Sequence, residues 1–158
     1  MILICFSERI TSSDEFILKA ADAYCDLFGE KFDFSVVRRD DKPYLTSAKR
    51  RAELYVSLSH SGRYIACAIS ENHVGLDIQE KKEVDFPVLS KRLFGREITE
   101  KDAFYDLFTA GEARKKYTDK DFFECMKSDE PPVKHIEFLL CYAIAVCGEG
   151  SILLRELK

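Results

Sequence analysis

A chain of 158 residues, 46% hydrophobic and 33% charged, can bury one core or two small lobes that share one, and its apolar content excludes general disorder. Its 24 basic and 28 acidic residues leave a formal net charge of −4, which disfavours nucleic acid and anionic membranes as partners, so any polyanion must be gripped by a local basic cluster. The opening MILICF is too short for a signal-peptide core and has no basic flank, and no run of about 18 apolar residues occurs, so the expectation is a cytoplasmic protein.

Residues 2–6 (ILICF) read as a buried strand. The run Thr11, Ser12, Ser13, Asp14 offers N-caps for a helix to about Phe28, with Phe16, Ile17, Ala20, Ala23, Tyr24 and Leu27 at helical spacing and Gly29 as its stop. Phe32, Phe34 and Val36 alternate as a half-buried strand does, and RRDDKP follows as turn material, because Pro43 cannot donate to a ladder. Leu54, Val56 and Leu58 predict the next strand, SHSG (59–62) a tight connection, and residues 64–69 and 73–79 two further strands, so that three consecutive strands form an antiparallel meander.

The second half opens on the charged EKKEVD and a short helix over about 87–94. Thr99 and Asp102 form a capping-box-like pair that opens a long helix to about Tyr117, with Phe104, Leu107, Phe108 and Gly111 on its buried face. Beyond a polar loop containing Pro131 and Pro132, residues 136–146 and 152–157 read as two closing strands joined by GEGS. The expected class is α+β. Cys5, Cys25, Cys67, Cys125, Cys141 and Cys147 all fall in apolar stretches without any CxxC, which predicts small buried thiols rather than disulfides or zinc ligands.

Three local patterns could carry chemistry. In VGLDIQ (74–79), strand alternation sends Val74, Leu76 and Ile78 to one face and Gly75, Asp77 and Gln79 to the other. A carboxylate and an amide then point the same way. That fits an exposed strand face, but aspartate is a poor strand former and its place among apolar residues asks for a reason. In FTAGEARKK (108–116), Glu112 and Lys116 lie one helical turn apart, the spacing of an ordinary surface ion pair. In SLSHSG (57–62), Ser59 and His60 sit on a turn, where a solvated histidine is the plain reading and nothing orients the pair as nucleophile and base.

Taken in order, KPYL (42–45), SLSHSGRYIACAIS (57–70), VGLDIQ (74–79) and FYDLFTAGEARKKY (104–117) resemble the Sfp-type 4′-phosphopantetheinyl transferases. That family reads roughly GKP, a SHS turn, a (V/I)G(V/I)D(I/V)E strand and a (F/W)(T/S)xKE(A/S)xxK helix. The resemblance covers most of residues 42–117. It implies two similar α+β lobes in a pseudo-twofold arrangement, divided near residues 72–75 within a single domain, with coenzyme A between them and no need of a second copy.

The implied activity is Mg²⁺-dependent transfer of the 4′-phosphopantetheine group from coenzyme A to a serine of an acyl or peptidyl carrier protein. By the same carry-over Asp77, Gln79 and Glu112 would ligate Mg²⁺, Glu112 would take the serine proton directly or through a water, and Lys116, Ser59, His60 and Lys42 would hold coenzyme A phosphates. Docking of an acidic carrier is expected near Arg114 and Lys115 or the basic cluster at 49–51. Gln79 stands where the family carries an acid and Gly111 where it carries a lysine, which favours one alternative: a module that keeps affinity for coenzyme A or the carrier protein without efficient transfer.

Overall fold

A computed structural model describes residues 1–8 and 12–158. In chain order its elements are β1 (Ile2–Ser7), α1 (Ser13–Phe28), β2 (Ser35–Arg39), β3 (Lys42–Thr46), β4 (Leu54–Ser61), β5 (Tyr64–Ser70), β6 (Gly75–Glu80), α2 (Phe86–Phe94), α3 (Lys101–Thr118), α4 (Phe122–Lys127), β7 (Val133–His135), β8 (Tyr142–Cys147) and β9 (Ile152–Glu156). The α+β class holds: helix and strand are nearly equal at 32% and 33%, and every strand pair except β1 with β9 is antiparallel. Among the described residues no helix is long and apolar enough to cross a membrane. The chain divides into two units, one made of Met1–Val74 with Gly148–Lys158 and the other of Gly75–Cys147.

The first unit is a sheet in the order β2-β3-β4-β5-β1-β9 covered on one face by α1. The helix starts where Ser12 Oγ accepts the Glu15 N–H at 3.2 Å, and it ends on Gly29 at φ 65°, a left-handed position that glycine takes without steric cost. Thr11, another capping candidate, lies outside the described residues. Phe16, Ile17, Ala20, Ala21, Ala23 and Tyr24 pack on Leu3, Cys5, Leu45, Leu54, Val56, Ile65, Cys67 and Ile69. Full burial of each large aliphatic side chain contributes roughly 2 kcal/mol, so this interface rather than the exposed ion pairs holds the unit together. Leu27, predicted on the buried face, is 39% exposed instead.

The predicted strand around Phe32 to Val36 begins later, at Ser35, and the aromatic pair Phe32 and Phe34 precedes it with ring centroids 5.6 Å apart. Asp40 and Asp41, both at positive φ (47° and 63°), form the two-residue turn that joins β2 to β3. Pro43 is inside β3, not in the turn. Arg39 pairs with Lys42 across that turn, so Pro43 opposite Arg38 stands at a non-hydrogen-bonded position toward β2, and the ladder to β4 starts only at Tyr44. No neighbour needs its missing N–H.

The expected three-strand meander is corrected as well. β4 and β5 form a hairpin through Gly62 (φ 57°), but the other edge of β5 pairs with β1, and β6 belongs to a separate sheet in the order β6-β8-β7. The closing strands are not a hairpin either: β8 pairs with β6 and β7, whereas β9 runs parallel to β1. The GEGS segment links two sheets.

In the second unit α3 lies against β6 and β8 and carries α4 on its other side, with α2 packed through Phe86 and Phe94 on Phe104. α2 opens where Asp85 accepts the Val88 N–H at 3.2 Å and closes on Gly95. The predicted capping box of α3 does not form. Its N-cap is Glu100 without a side-chain bond, because the Asp102 carboxylate accepts from Lys81 Nζ at 2.8 Å instead. The segment read as a polar loop contains α4, capped by Asp121 Oδ1 at 2.9 and 3.1 Å from the N–H groups of Phe123 and Glu124, and the three-residue β7. Five of the six cysteines are buried as expected; Cys141 is exposed.

Candidate functional site

The second unit brings the two ends of the predicted site together. Alternation along β6 turns Gly75, Asp77 and Gln79 toward α3, and Gly75 sets the spacing: a Cβ there would lie 2.0 Å from the Ala113 carbonyl oxygen and 2.8 Å from the Tyr117 nitrogen. The helix backbone therefore rests on the strand at that point. Two residues along, Asp77 meets Lys116, whose Nζ donates to Asp77 Oδ1 at 2.9 Å and to the Leu76 carbonyl at 2.8 Å. Only 3% of the Asp77 side chain is exposed, against 29% of Lys116.

Glu112, one turn before Lys116 on the same face of α3, is half-buried and has its carboxyl raised above the usual glutamate range. Burial is the larger cause and the negative charge of Asp77 the second, while Lys116 and Lys115 pull the other way. The geometric contact on this face is the Lys116–Asp77 ion pair, with Glu112 one turn before Lys116 on the helix. Gln79 donates its amide Nε2–H to Asp77 Oδ2 at 3.2 Å, touching the aspartate through nitrogen and steadying its second oxygen.

The donor set fits a hard divalent cation. Carboxylate and amide oxygens are the ligands Mg²⁺ prefers, and a cationic group already sits on the buried aspartate as a stand-in for positive charge. Among the described residues no three His, Cys, Asp or Glu side chains cluster in a metal-holding arrangement. Asp77 and Glu112 would therefore hold such an ion as a pair, with Gln79 able to add its amide oxygen and water or substrate phosphate supplying the remaining ligands.

Gly111 has a different reason for being glycine from the one its sequence position suggests. It is buried under α4, where a Cβ would fall 2.4 Å from Met126 Sδ and 3.1 Å from Met126 Cα. A lysine at this position would displace α4, so the glycine serves helix packing. Sequence reading gave Gly75 no role beyond a strand face. Its signal, a glycine inside an apolar strand two residues before an aspartate, is the kind that marks close backbone approach.

The first unit carries the other predicted residues. Lys42, half-buried, opens β3, and Ser59, buried, lies near the end of β4. Register places Tyr44 opposite Tyr55, so by alternation Lys42 and Ser59 share the sheet face away from α1. His60, exposed and next along β4, points to the opposite face from Ser59. The SHS segment is strand rather than turn, and it does not aim Ser59 and His60 at one ligand atom from one side.

Of the basic residues expected at a docking surface, Lys49, Arg50 and Arg114 are engaged within their own units. Lys49 Nζ donates to Asp33 at 2.8 Å, and Arg50 bonds the Glu71 carboxylate and the Ala52 carbonyl. Arg114 is corrected outright: it is 6% exposed and spends its guanidinium on the carbonyls of Pro131 (2.8 Å) and Asp129 (3.2 Å), tying the loop before β7 to α3. Lys115 remains exposed, over the Phe122 ring at 5.7 Å. No protein-family model matches this chain, and no curated protein matches it.

Proposed function

We propose that this chain is a short phosphopantetheinyl transferase of the Sfp type, moving the 4′-phosphopantetheine group of coenzyme A onto a serine of an acyl or peptidyl carrier protein. The observation that carries the reading is the seating of the FTAGEARKK helix on the VGLDIQ strand, 35 residues away in sequence, where Lys116 Nζ donates to Asp77 Oδ1 at 2.9 Å and Glu112 lies one turn before Lys116 on the same helix face. The ordered run of four motif-like segments supports it, and so does a lysine at hydrogen-bond distance from the same aspartate.

In this reaction the carrier serine Oγ forms a bond to the phosphorus nearest the pantetheine. The bond from that phosphorus to the bridging oxygen breaks, and adenosine 3′,5′-bisphosphate leaves with the electron pair. Mg²⁺, held by Asp77 and Glu112 with Gln79 beside them, would neutralise charge on the pyrophosphate. Glu112, half-buried on α3, would accept the serine proton directly or through a water. Asp77 is buried and held in place by hydrogen bonds from Lys116 and Gln79. Lys116 offers an ammonium to phosphate oxygens, and Lys42, Ser59 and His60 are assigned to coenzyme A phosphates by the resemblance alone.

Incubating the protein with coenzyme A, Mg²⁺ and an apo carrier protein, with the carrier read by mass spectrometry, tests this. A gain of one phosphopantetheine on the carrier serine, lost in Asp77→Ala and Glu112→Ala, is the expected result. Unchanged carrier with every divalent cation tried, or wild-type rates in both variants, would remove the reading.

A further inference from the structure

The ion pair between Lys116 and Asp77 has a consequence for how this site takes up its metal. We propose that Lys116 is an internal cation that exchanges with the divalent ion on Asp77, so that metal binding frees the lysine toward substrate phosphate. This rests on the reading of Asp77 and Glu112 as the metal-holding pair.

Asp77, with 3% of its side chain exposed, has Lys116 as its cationic partner, and the same Nζ donates to Asp77 Oδ1 at 2.9 Å and to the Leu76 carbonyl at 2.8 Å. A divalent ion on Asp77 would meet that ammonium at close range, and two cations on one carboxylate repel strongly where water is scarce. One must leave. Lys116 is able to: its side chain is 29% exposed, and a lysine stem can swing its head into solvent or onto a ligand without moving the helix.

The neighbouring cation shows the contrast. Arg114, two residues earlier, is 6% exposed and held by the carbonyls of Asp129 and Pro131, which makes it a fixed brace for the loop. Glu112 completes the device. It lies one turn before Lys116 on the same face of α3, so a divalent ion would draw on a second carboxylate where the single ammonium pairs with one. Lysine suits this role because it is a compact point charge, whereas the guanidinium fork of an arginine would bind Asp77 with two bonds and leave less readily.

Calorimetric titration of the metal-free protein with Mn²⁺, with no coenzyme A and no carrier, tests the exchange by affinity rather than by turnover. Lys116→Met is expected to bind Mn²⁺ at least about tenfold more tightly than wild type, the factor expected when a competing cation is removed from the same carboxylate. Lys116→Arg is expected to bind more weakly than wild type, and Glu112→Gln to bind more weakly in either background. Equal or weaker binding by Lys116→Met, with Glu112→Gln still impaired, overturns the exchange while the metal-holding pair stands. No binding by wild type or Lys116→Met overturns the pair, and the exchange with it.

Should Lys116→Met fail to fold, Lys116→Gln retains a donor for the Leu76 carbonyl and is read by the same criterion. The ammonium signal of Lys116 followed by ¹H–¹⁵N NMR gives a check on the wild-type protein: Mg²⁺ is expected to remove its protection from solvent exchange, and unchanged protection at saturating Mg²⁺ overturns the proposal.

Discussion

At Glu112 the sign of a pH effect can be worked out from its surroundings. Burial and the Asp77 charge raise its carboxyl, so the folded protein holds that proton more tightly than the unfolded chain does. The resulting stabilisation is complete below the ordinary glutamate range and is lost as pH rises through the raised value. Metal-free wild type should therefore lose stability relative to Glu112→Gln between the ordinary glutamate range and neutrality. Thermal unfolding in chelator measures the gap, and a gap independent of pH would contradict the assignment.

The thiols give a second residue-scale test. Burial pushes the Cys5 thiol up to about 12 and Cys147 to about 11, and Cys67 is raised well above its usual value too, while Cys141 is exposed. Native protein treated briefly with iodoacetamide at about pH 8 should carry its first adduct at Cys141, mapped by mass spectrometry, with Cys5, Cys67 and Cys147 modified only in denaturant. At this scale the sequence was most informative where a residue was out of place, as with an aspartate inside an apolar strand, and least so at Gly111, whose neighbour Met126 is not evident from a family pattern.

Two glycines decide how α3 is seated. A methyl group at Gly75 would collide with backbone, the Ala113 carbonyl oxygen at 2.0 Å, which cannot move without shifting the helix, so Gly75→Ala is expected to cost about 3 kcal/mol or more in urea unfolding. At Gly111 the nearest atom is the flexible Met126 Sδ at 2.4 Å, and alanine gains about 1 kcal/mol of helix propensity, so Gly111→Ala should cost clearly less. Equal costs for the two substitutions would mean that α3 is not braced on β6 as described.

Element types were largely legible because they depend on neighbours in sequence: the spacing of apolar residues in α1, the Ser12 cap and the Gly29 stop all act within a few residues. Boundaries failed where a side chain found a distant partner. Asp102 left the helix start for Lys81, and Pro43 entered a strand because neither flanking strand asks for its N–H.

For the whole molecule, the first unit depends on its most distant pairing. β9 closes the sheet by running parallel to β1 from Ile2 opposite Ile152 to Phe6 opposite Glu156, and Arg155 reaches the Ala23 carbonyl at 3.1 Å. Removing residues 151–158 would expose the backbone edge of a strand whose Ile2, Leu3, Ile4 and Cys5 are fully buried. Such a truncation should aggregate, or should lose amide protection in β1 by hydrogen exchange before β4 loses it; unchanged protection of β1 would sink the argument. By itself the sequence determined the α+β class, the helices α1, α2 and α3, the strands that carry their own alternation, and the residues with unusual chemistry for their place. Only the tertiary structure decided which strand lies beside which, that Lys116 meets Asp77, that Ser59 and His60 face apart, and that Arg114 is a brace. The first set follows from interactions within a few residues. The second depends on contacts across tens of residues, where the backbone pairs with any strand and burial alone selects the partner.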